Sequence, residues 1–385
     1  MGECQADFLI IGGGIIGINI ARRLKVLYPD ASVALLEKEE NIGMHASGHN
    51  SGVLHAGFYY TPDSLKAQLT RNGNQEMHEY CQSRGIAVNH CGKLVVAKDE
   101  ADLQGLDVLM ERGRMNGIDL QAISAQDARE IEPRVKTFER AIWSPTTASV
   151  DPVSVMQAMR QDAIQEGVKI HCGVSFKGRS ADGVMTSQGK FSCGYVINAA
   201  GLYADSVARQ FGFSSRYRIL PFKGLYLYSD EPAGTLRTNI YPVPDLRNPF
   251  LGVHFTLAAN GAIKIGPTAI PAFWRENYRG LDNFRIGEAA DILFRQMQLF
   301  LFSKFDFKRL VWEETRKHSR AHMVALASTL ASGVDERMYK RWGQPGIRAQ
   351  LIDMQEQRLE MDFVLEGDAQ SLHILSLIVR TSSES

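Results

Sequence analysis

Cysteine is scarce in this chain of 385 residues: Cys4, Cys81, Cys91, Cys172 and Cys193 are scattered, with no CxxC pair and no histidine at zinc-finger spacing. That pattern indicates neither a disulfide framework nor a metal site, and it makes a reducing cytoplasm the expected compartment. No apolar run approaches the roughly 18 residues of a spanning helix, and the first residues lack the cationic, apolar and small-residue order of a secretion signal. The expectation is a chain that does not cross a membrane. An excess of either charge is also missing. Lys plus Arg and Asp plus Glu number 43 each, and the basic residues form no aromatic-interleaved patch, so no nucleic-acid partner is indicated. With no internal repeat or low-complexity linker, the length suits two closely joined domains, or one large domain with a substrate-binding insertion.

What is present is most informative at the start. Phe8 to Ile11 form an apolar strand, Gly12-Gly13-Gly14-Ile15-Ile16-Gly17 follows, and a helical pattern runs through Leu24 and Leu27. Gly12 allows the tight turn, Gly14 lets a pyrophosphate approach the backbone at a helix N-terminus, and Gly17 with Ala21 lets helix and strand pack closely. A second strand, Val33 to Leu36, ends in Glu37, twenty positions after Gly17, where a carboxylate can accept both hydroxyls of an adenosine ribose. Strand, glycine turn, helix and acid together predict a Rossmann-like dinucleotide-binding unit.

FAD and NAD share this fingerprint. Two features favour FAD: the unit lies at the N-terminus with no catalytic domain before it, and the chain after Glu37 enters His49-Asn-Ser-Gly-Val-Leu-His-Ala-Gly-Phe-Tyr-Tyr60 in place of a third ordinary strand. A later segment, Tyr195-Val-Ile-Asn-Ala-Ala-Gly201 with Ala204 and Asp205, repeats the logic of strand, small-residue turn and helix. Strands are expected at Leu94–Ala97, Ile219–Tyr228, Phe250–Thr256 and Ala262–Ile265, and helices over roughly 63–84, 100–116 and 152–166, the last opened by Asp151 and Pro152. The fold class is α/β, with α+β character across two domains: a Rossmann-like domain and a mixed or antiparallel sheet that roofs the cofactor.

These residues carry a resemblance. The chain resembles the FAD-dependent oxidoreductases of the D-amino-acid oxidase and glycerol-3-phosphate dehydrogenase superfamily, on GGGIIG, Glu37 and Asn198-Ala-Ala-Gly201. Within it the chain is similar to the L-2-hydroxyglutarate oxidases and dehydrogenases. That narrower match rests on HNSGVLHAGFYY, Lys223-Gly224, the run from Tyr241 to Thr256, the run from Lys264 to Ala272, and PGIRAQL from Pro345 to Leu351. The resemblance implies FAD and a discontinuous FAD-binding domain at 5–90, 151–215 and 336–375, with a substrate domain at 91–150 and 216–335. It also implies that Ser47, Asn50, Ser51 and Gly52, together with Ala200 and Gly201, pass the pyrophosphate and ring, and that His55 faces the isoalloxazine and substrate.

The implied reaction is oxidation of L-2-hydroxyglutarate to 2-oxoglutarate, with oxygen or a membrane quinone as final acceptor. Its rivals are oxidation of glycerol-3-phosphate or an amino acid, or a catalytically impaired relative. Oxidising a 2-hydroxy acid needs a hydride acceptor, which the flavin supplies, and a base for the hydroxyl proton. His55 is the first candidate for the base and His254 the second; a hydrogen-bonded structural histidine is the alternative. A small dicarboxylate also needs cationic or hydroxyl partners. Arg348, read as lying in a glycine-flanked turn, leads for its bidentate fork, followed by Lys223, Tyr241, Arg247 and Tyr60.

Two segments depart from a plain globular pattern. Met297 to Trp312 is aromatic-rich and carries Lys304, Lys308 and Arg309, which suits either peripheral contact with the inner face of the cell membrane or a helix pair packed on the protein. After Leu375 the chain leaves the pattern of its relatives, and 376–385 is a divergent tail. Weakened FAD binding is the expectation there.

Overall fold

The computed structural model describes residues 4–244, 252–303 and 307–376. The apolar run at the start becomes the strand Cys4–Ile11, flanked in parallel by Val33–Leu36 and by Gly189–Asn198. Lys169–His171 and Ser371–Ser376 extend the parallel order outward, and three antiparallel strands bring the sheet to eight. Leu9, Ile10 and Leu35 have no exposed surface, because both faces of this sheet are covered, which is why its strands read as unbroken apolar runs. The helix Ile15–Leu27 lays Ile18 and Ala21 on one face beside Val155, Met156 and Met159 of the helix Pro152–Gln165. That second helix starts as expected: Asp151 accepts hydrogen bonds from the N–H groups of Val153 and Ser154, with Pro152 in the first turn.

A second eight-stranded sheet runs in the order Tyr339–Trp342, Leu227–Ser229, Ile263–Gly266, His254–Leu257, Asn239–Pro242, Lys93–Val96, Arg140–Ser144, Gln121–Ser124. It is antiparallel apart from the pairing of Asn239–Pro242 with Lys93–Val96. The strand expected across 219–228 is two strands in different sheets. Tyr217–Gly224 pairs with Gly346–Asp353, and the chain then bends at Leu225, whose N–H donates to Thr268 Oγ1 and whose carbonyl accepts from the Thr268 N–H. The helices expected over 63–84 and 100–116 are Leu65–Ser83 and Glu100–Met115.

One buried ion cluster joins the two halves. Asp205 has no exposed surface and accepts from Arg275 at 2.7 and 3.1 Å and from Arg209 at 3.1 Å, with Arg295 at 3.9 Å. Burial pushes its carboxyl up, but the Arg275 and Arg209 guanidiniums outweigh that and hold it below the ordinary range. Arg275 belongs to the segment 272–285, so the cluster ties that segment to the helix Ala204–Gln210.

Candidate active site

The glycine turn is built as its chemistry requires. Gly12 has φ +114°, and a Cβ there would lie 2.3 Å from the Ala199 carbonyl oxygen; a Cβ at Gly17 would lie 1.9 Å from the Gly12 carbonyl oxygen. Gly14 sits directly before the helix Ile15–Leu27, and the nearest atom to a Cβ there is Ser47 Oγ at 3.1 Å. Ser47 Oγ also accepts the Ile15 N–H at 2.9 Å. Glu37 is 7% exposed, and its two oxygens accept the N–H groups of Gly13 at 2.8 Å and Glu39 at 2.9 Å. The acid therefore braces the turn it was expected to serve.

Asn50 and Ser51 shape the loop with their side chains. Asn50 donates to the carbonyls of Ala46 and Ser47 and accepts the Gly52 N–H at 2.8 Å, while Ser51 accepts the Val53 N–H. Gly52, at φ +74°, lets the chain pass the Val150 carbonyl, which a Cβ would approach to 2.2 Å. Asn198, absent from the expected site, holds the second small-residue turn: it donates to the Ala204 carbonyl at 2.8 Å and accepts the Ala200 N–H at 3.2 Å.

All these segments line one cavity of about 720 Å³. Its wall includes Gly12, Gly14, Glu37, Ser47, Asn50, Gly52, Ala200 and Gly201, and also Phe222, Tyr226, Thr268 and Arg348. A glycine cradle at a helix N-terminus, a ribose-height carboxylate and small residues along the wall fit a long, anionic dinucleotide with a planar ring. Arg348 lies within the strand Gly346–Asp353, opposite Phe222, and not in a turn; the neighbouring Gly346 is needed because a Cβ there would lie 2.2 Å from the His49 carbonyl oxygen. His49 is a wall residue that sequence reasoning did not single out. Burial, then the charges of His45 and Arg279, lower its pKa.

Several expected site residues are not on that wall. The run Ser51–Tyr60 is buried, Gly52 and Leu54 being its residues on the wall, and His55, off the wall, is 2% exposed. Its Nδ1 is 3.1 Å from Lys93 Nζ, and its ring meets Tyr241 edge-on at 5.9 Å. Tyr241 in turn stacks on His254 at 3.7 Å. Burial pulls His254 down to about 3, which makes it a neutral ring at physiological pH. Lys264 donates to the Ser51 carbonyl at 2.9 Å and lies 4.7 Å over the ring of the wall residue Tyr226. Burial pulls its ammonium down to about 8. These residues form a polar and aromatic layer directly behind the cavity wall. Tyr60 is buried under Lys66, and the half-buried Lys223 is outside the wall. Arg247 lies outside the described residues.

Among the described residues, Glu39, His45 and Glu276 are close enough to share an ion, but Lys38 already pairs with both carboxylates, at 2.7 Å from Glu276. One ammonium offsets one of the two carboxylate charges, and His45 Nε2 lies 2.9 Å from Glu39.

The profile of the family described as FAD dependent oxidoreductase matches residues 7–343, so the chain belongs to that family and uses FAD. Among similar proteins are L-2-hydroxyglutarate dehydrogenases. The mitochondrial one from Homo sapiens is 36% identical over 381 residues, covering 94% of this chain and 81% of that one. The one from Nematostella vectensis is 37% identical, covering 98% and 86%. The one from Escherichia coli strain K12 is 40% identical over 293 residues, covering 74% and 69%. Of solved structures, L-α-glycerophosphate oxidase from Mycoplasma pneumoniae superposes with a TM-score of 0.75 at 22% identity, covering 96% of this chain and 89% of that one. Glycine oxidase from Geobacillus kaustophilus gives 0.66 at 21%, covering 90% and 83%. The two structures share the fold.

Proposed function

We propose that this flavoenzyme oxidises L-2-hydroxyglutarate to 2-oxoglutarate, with oxygen or a membrane quinone taking the electrons. The observation that carries the reading is Arg348 on the same cavity wall as the glycine cradle. A guanidinium there offers a two-pronged partner to a carboxylate beside the cofactor, and the relatives named above are dehydrogenases of this dicarboxylate. FAD, when bound, supplies the hydride acceptor. The protein's part is to orient the substrate and to take the hydroxyl proton. We assign the base to His55, which lies in the layer behind the wall beside Lys93 and Tyr241. His254 serves better as an apolar-like stacking partner, since burial keeps it neutral. Anaerobic stopped-flow spectra test the substrate: L-2-hydroxyglutarate should bleach the flavin fastest among small hydroxy acids. Equal bleaching by L-lactate or glycerol-3-phosphate would refute the assignment.

We also propose that the enzyme rests on an anionic membrane surface. No helix among the described residues is long and apolar enough to cross a membrane. The helix Ile286–Phe302 nevertheless has two apolar faces: Ile292 and Leu299 are buried, while Phe294, Met297, Leu301 and Phe302 are more than half exposed, as is Trp312 on the helix Phe307–Arg316. Phe307 and Leu310 pack inward, as a helix pair on the protein requires, and the exposed faces are what support the membrane reading. Lys308 sits 5.1 Å over the Phe300 ring, beside the exposed face, whereas Arg309 pairs with Glu313. Lys304 is outside the described residues. Aromatics flanked by a cation suit the headgroup boundary.

A further inference from the structure

Lys93 has no exposed surface and belongs to the strand Lys93–Val96 in the middle of the second sheet. A lysine is almost never fully buried without a carboxylate. Here no carboxylate pairs with it among the described residues. Its Nζ faces His55 Nδ1 at 3.1 Å and three aromatic rings: Phe58 at 4.5 Å, Tyr59 at 4.6 Å and Tyr241 at 5.1 Å. Among the described residues, the titratable groups around this pair include Tyr59, Tyr241 and, beyond Tyr241, His254 and Cys91.

We propose that Lys93 is a positioning residue for His55: as an uncharged amine it accepts the Nδ1–H, so that Nε2 is the basic nitrogen presented to a substrate hydroxyl. The inference rests on the assignment of His55 as the base. A neutral imidazole carries one proton, and the partner of one ring nitrogen decides which nitrogen keeps it. An ammonium at 3.1 Å would donate to Nδ1, leave the proton on Nε2 and block the base. A neutral amine does the reverse. Burial without an anionic partner lowers the Lys93 pKa well below its ordinary value, in agreement with the uncharged form. The proton path balances without a further reactant. The substrate hydroxyl proton goes to Nε2, the Nδ1 proton of the resulting imidazolium passes to Nζ, and the new ammonium is held over three ring faces.

The wild-type protein itself is the first test. Nitrogen-15 spectra of histidine-labelled protein, with and without flavin, should show His55 protonated on Nδ1 and bare on Nε2; the opposite tautomer would overturn the proposal. Lys93→Met keeps the volume and removes the acceptor. It should lose the tautomer preference, lower kcat at least tenfold with KM changed less than threefold, and move the acid limb of the kcat/KM profile to lower pH. Lys93→Arg should be no rescue and should fall below Lys93→Met, because a guanidinium can only donate. Melting curves and flavin content of both variants separate this from misfolding. An active Lys93→Arg enzyme, or an unchanged pH profile in Lys93→Met, would refute the pairing. His55→Gln distinguishes the underlying reading: if that variant keeps wild-type turnover, His55 is not the base; if it is dead while Lys93→Met is normal, only the role of Lys93 falls.

Discussion

Replacing Glu37 by alanine should destabilise the protein even when no flavin is bound. In the usual view this acid is a ribose ligand, and its loss affects only cofactor affinity. Here its buried carboxylate accepts the N–H groups of Gly13 and Glu39 at 2.8 and 2.9 Å. Hydrogen bonds to a charged group contribute about 1.5–3 kcal/mol each, so losing two gives about 3–6 kcal/mol, with the lower end expected if water enters beside Gly13. Glu37→Gln keeps one acceptor oxygen and turns an NH₂ toward the other N–H, so it should lose roughly half to all of that. The assay is chemical denaturation of flavin-free wild type and variants, followed by FAD titration. A midpoint shift in the flavin-free Glu37→Ala protein, together with weakened FAD binding, is the expected result. Unchanged stability of the flavin-free variant, with only affinity reduced, would show that the carboxylate acts on the cofactor alone.

Arg348→Lys keeps a charge on the wall and loses the fork; one charge-assisted bond of about 1.5–3 kcal/mol predicts a fall in kcat/KM for L-2-hydroxyglutarate of roughly 10- to 100-fold, and an unchanged value would remove Arg348 from the substrate. Acid should weaken the fold before any carboxylate titrates. Burial lowers His254 to about 3 and His373 to about 4, below the unfolded value near 6.5. As pH falls below 6.5 the unfolded chain takes up protons that the folded one refuses, which costs about 2 kcal/mol per histidine between pH 7 and 5. The melting temperature should drop over that interval and drop less in His254→Phe; a flat profile would contradict the burial argument. Sedimentation with anionic vesicles should be weakened by salt and by Phe302→Ser with Trp312→Ser, and binding unaffected by either would leave the exposed face unexplained.

The parts of this molecule that were legible in the sequence are those where the backbone dictates the residue. Gly12, Gly17 and Gly52 occupy positions where a Cβ meets a carbonyl oxygen at under 2.5 Å, so their spacing carries the turn on its face. The helices Leu65–Ser83, Glu100–Met115 and Pro152–Gln165 were readable because caps and periodicity are local. The parts played by Lys93 and Lys264 were not legible because they come from partners 38 and 213 positions away. A lysine at the start of an apolar strand looks like a solvated edge residue until the strands on either side are known. The local structure expected around Arg348 was wrong: Gly346 suggested a turn, whereas it leaves room for the His49 carbonyl against a continuous strand.

The Asp205 cluster bears on how quickly cofactor exchanges. The segment that Arg275 anchors also contributes Glu276, Asn283 and Arg285 to the cavity wall. Opening that side of the cavity requires a buried carboxylate to part from its guanidiniums, a costly separation because each charge would be stranded away from water. Residence time, rather than equilibrium affinity, is therefore the quantity this anchor is expected to govern. Flavin should load slowly and leave slowly, and brief chaotrope treatment, which loosens the anchor, should strip it far faster than prolonged dilution.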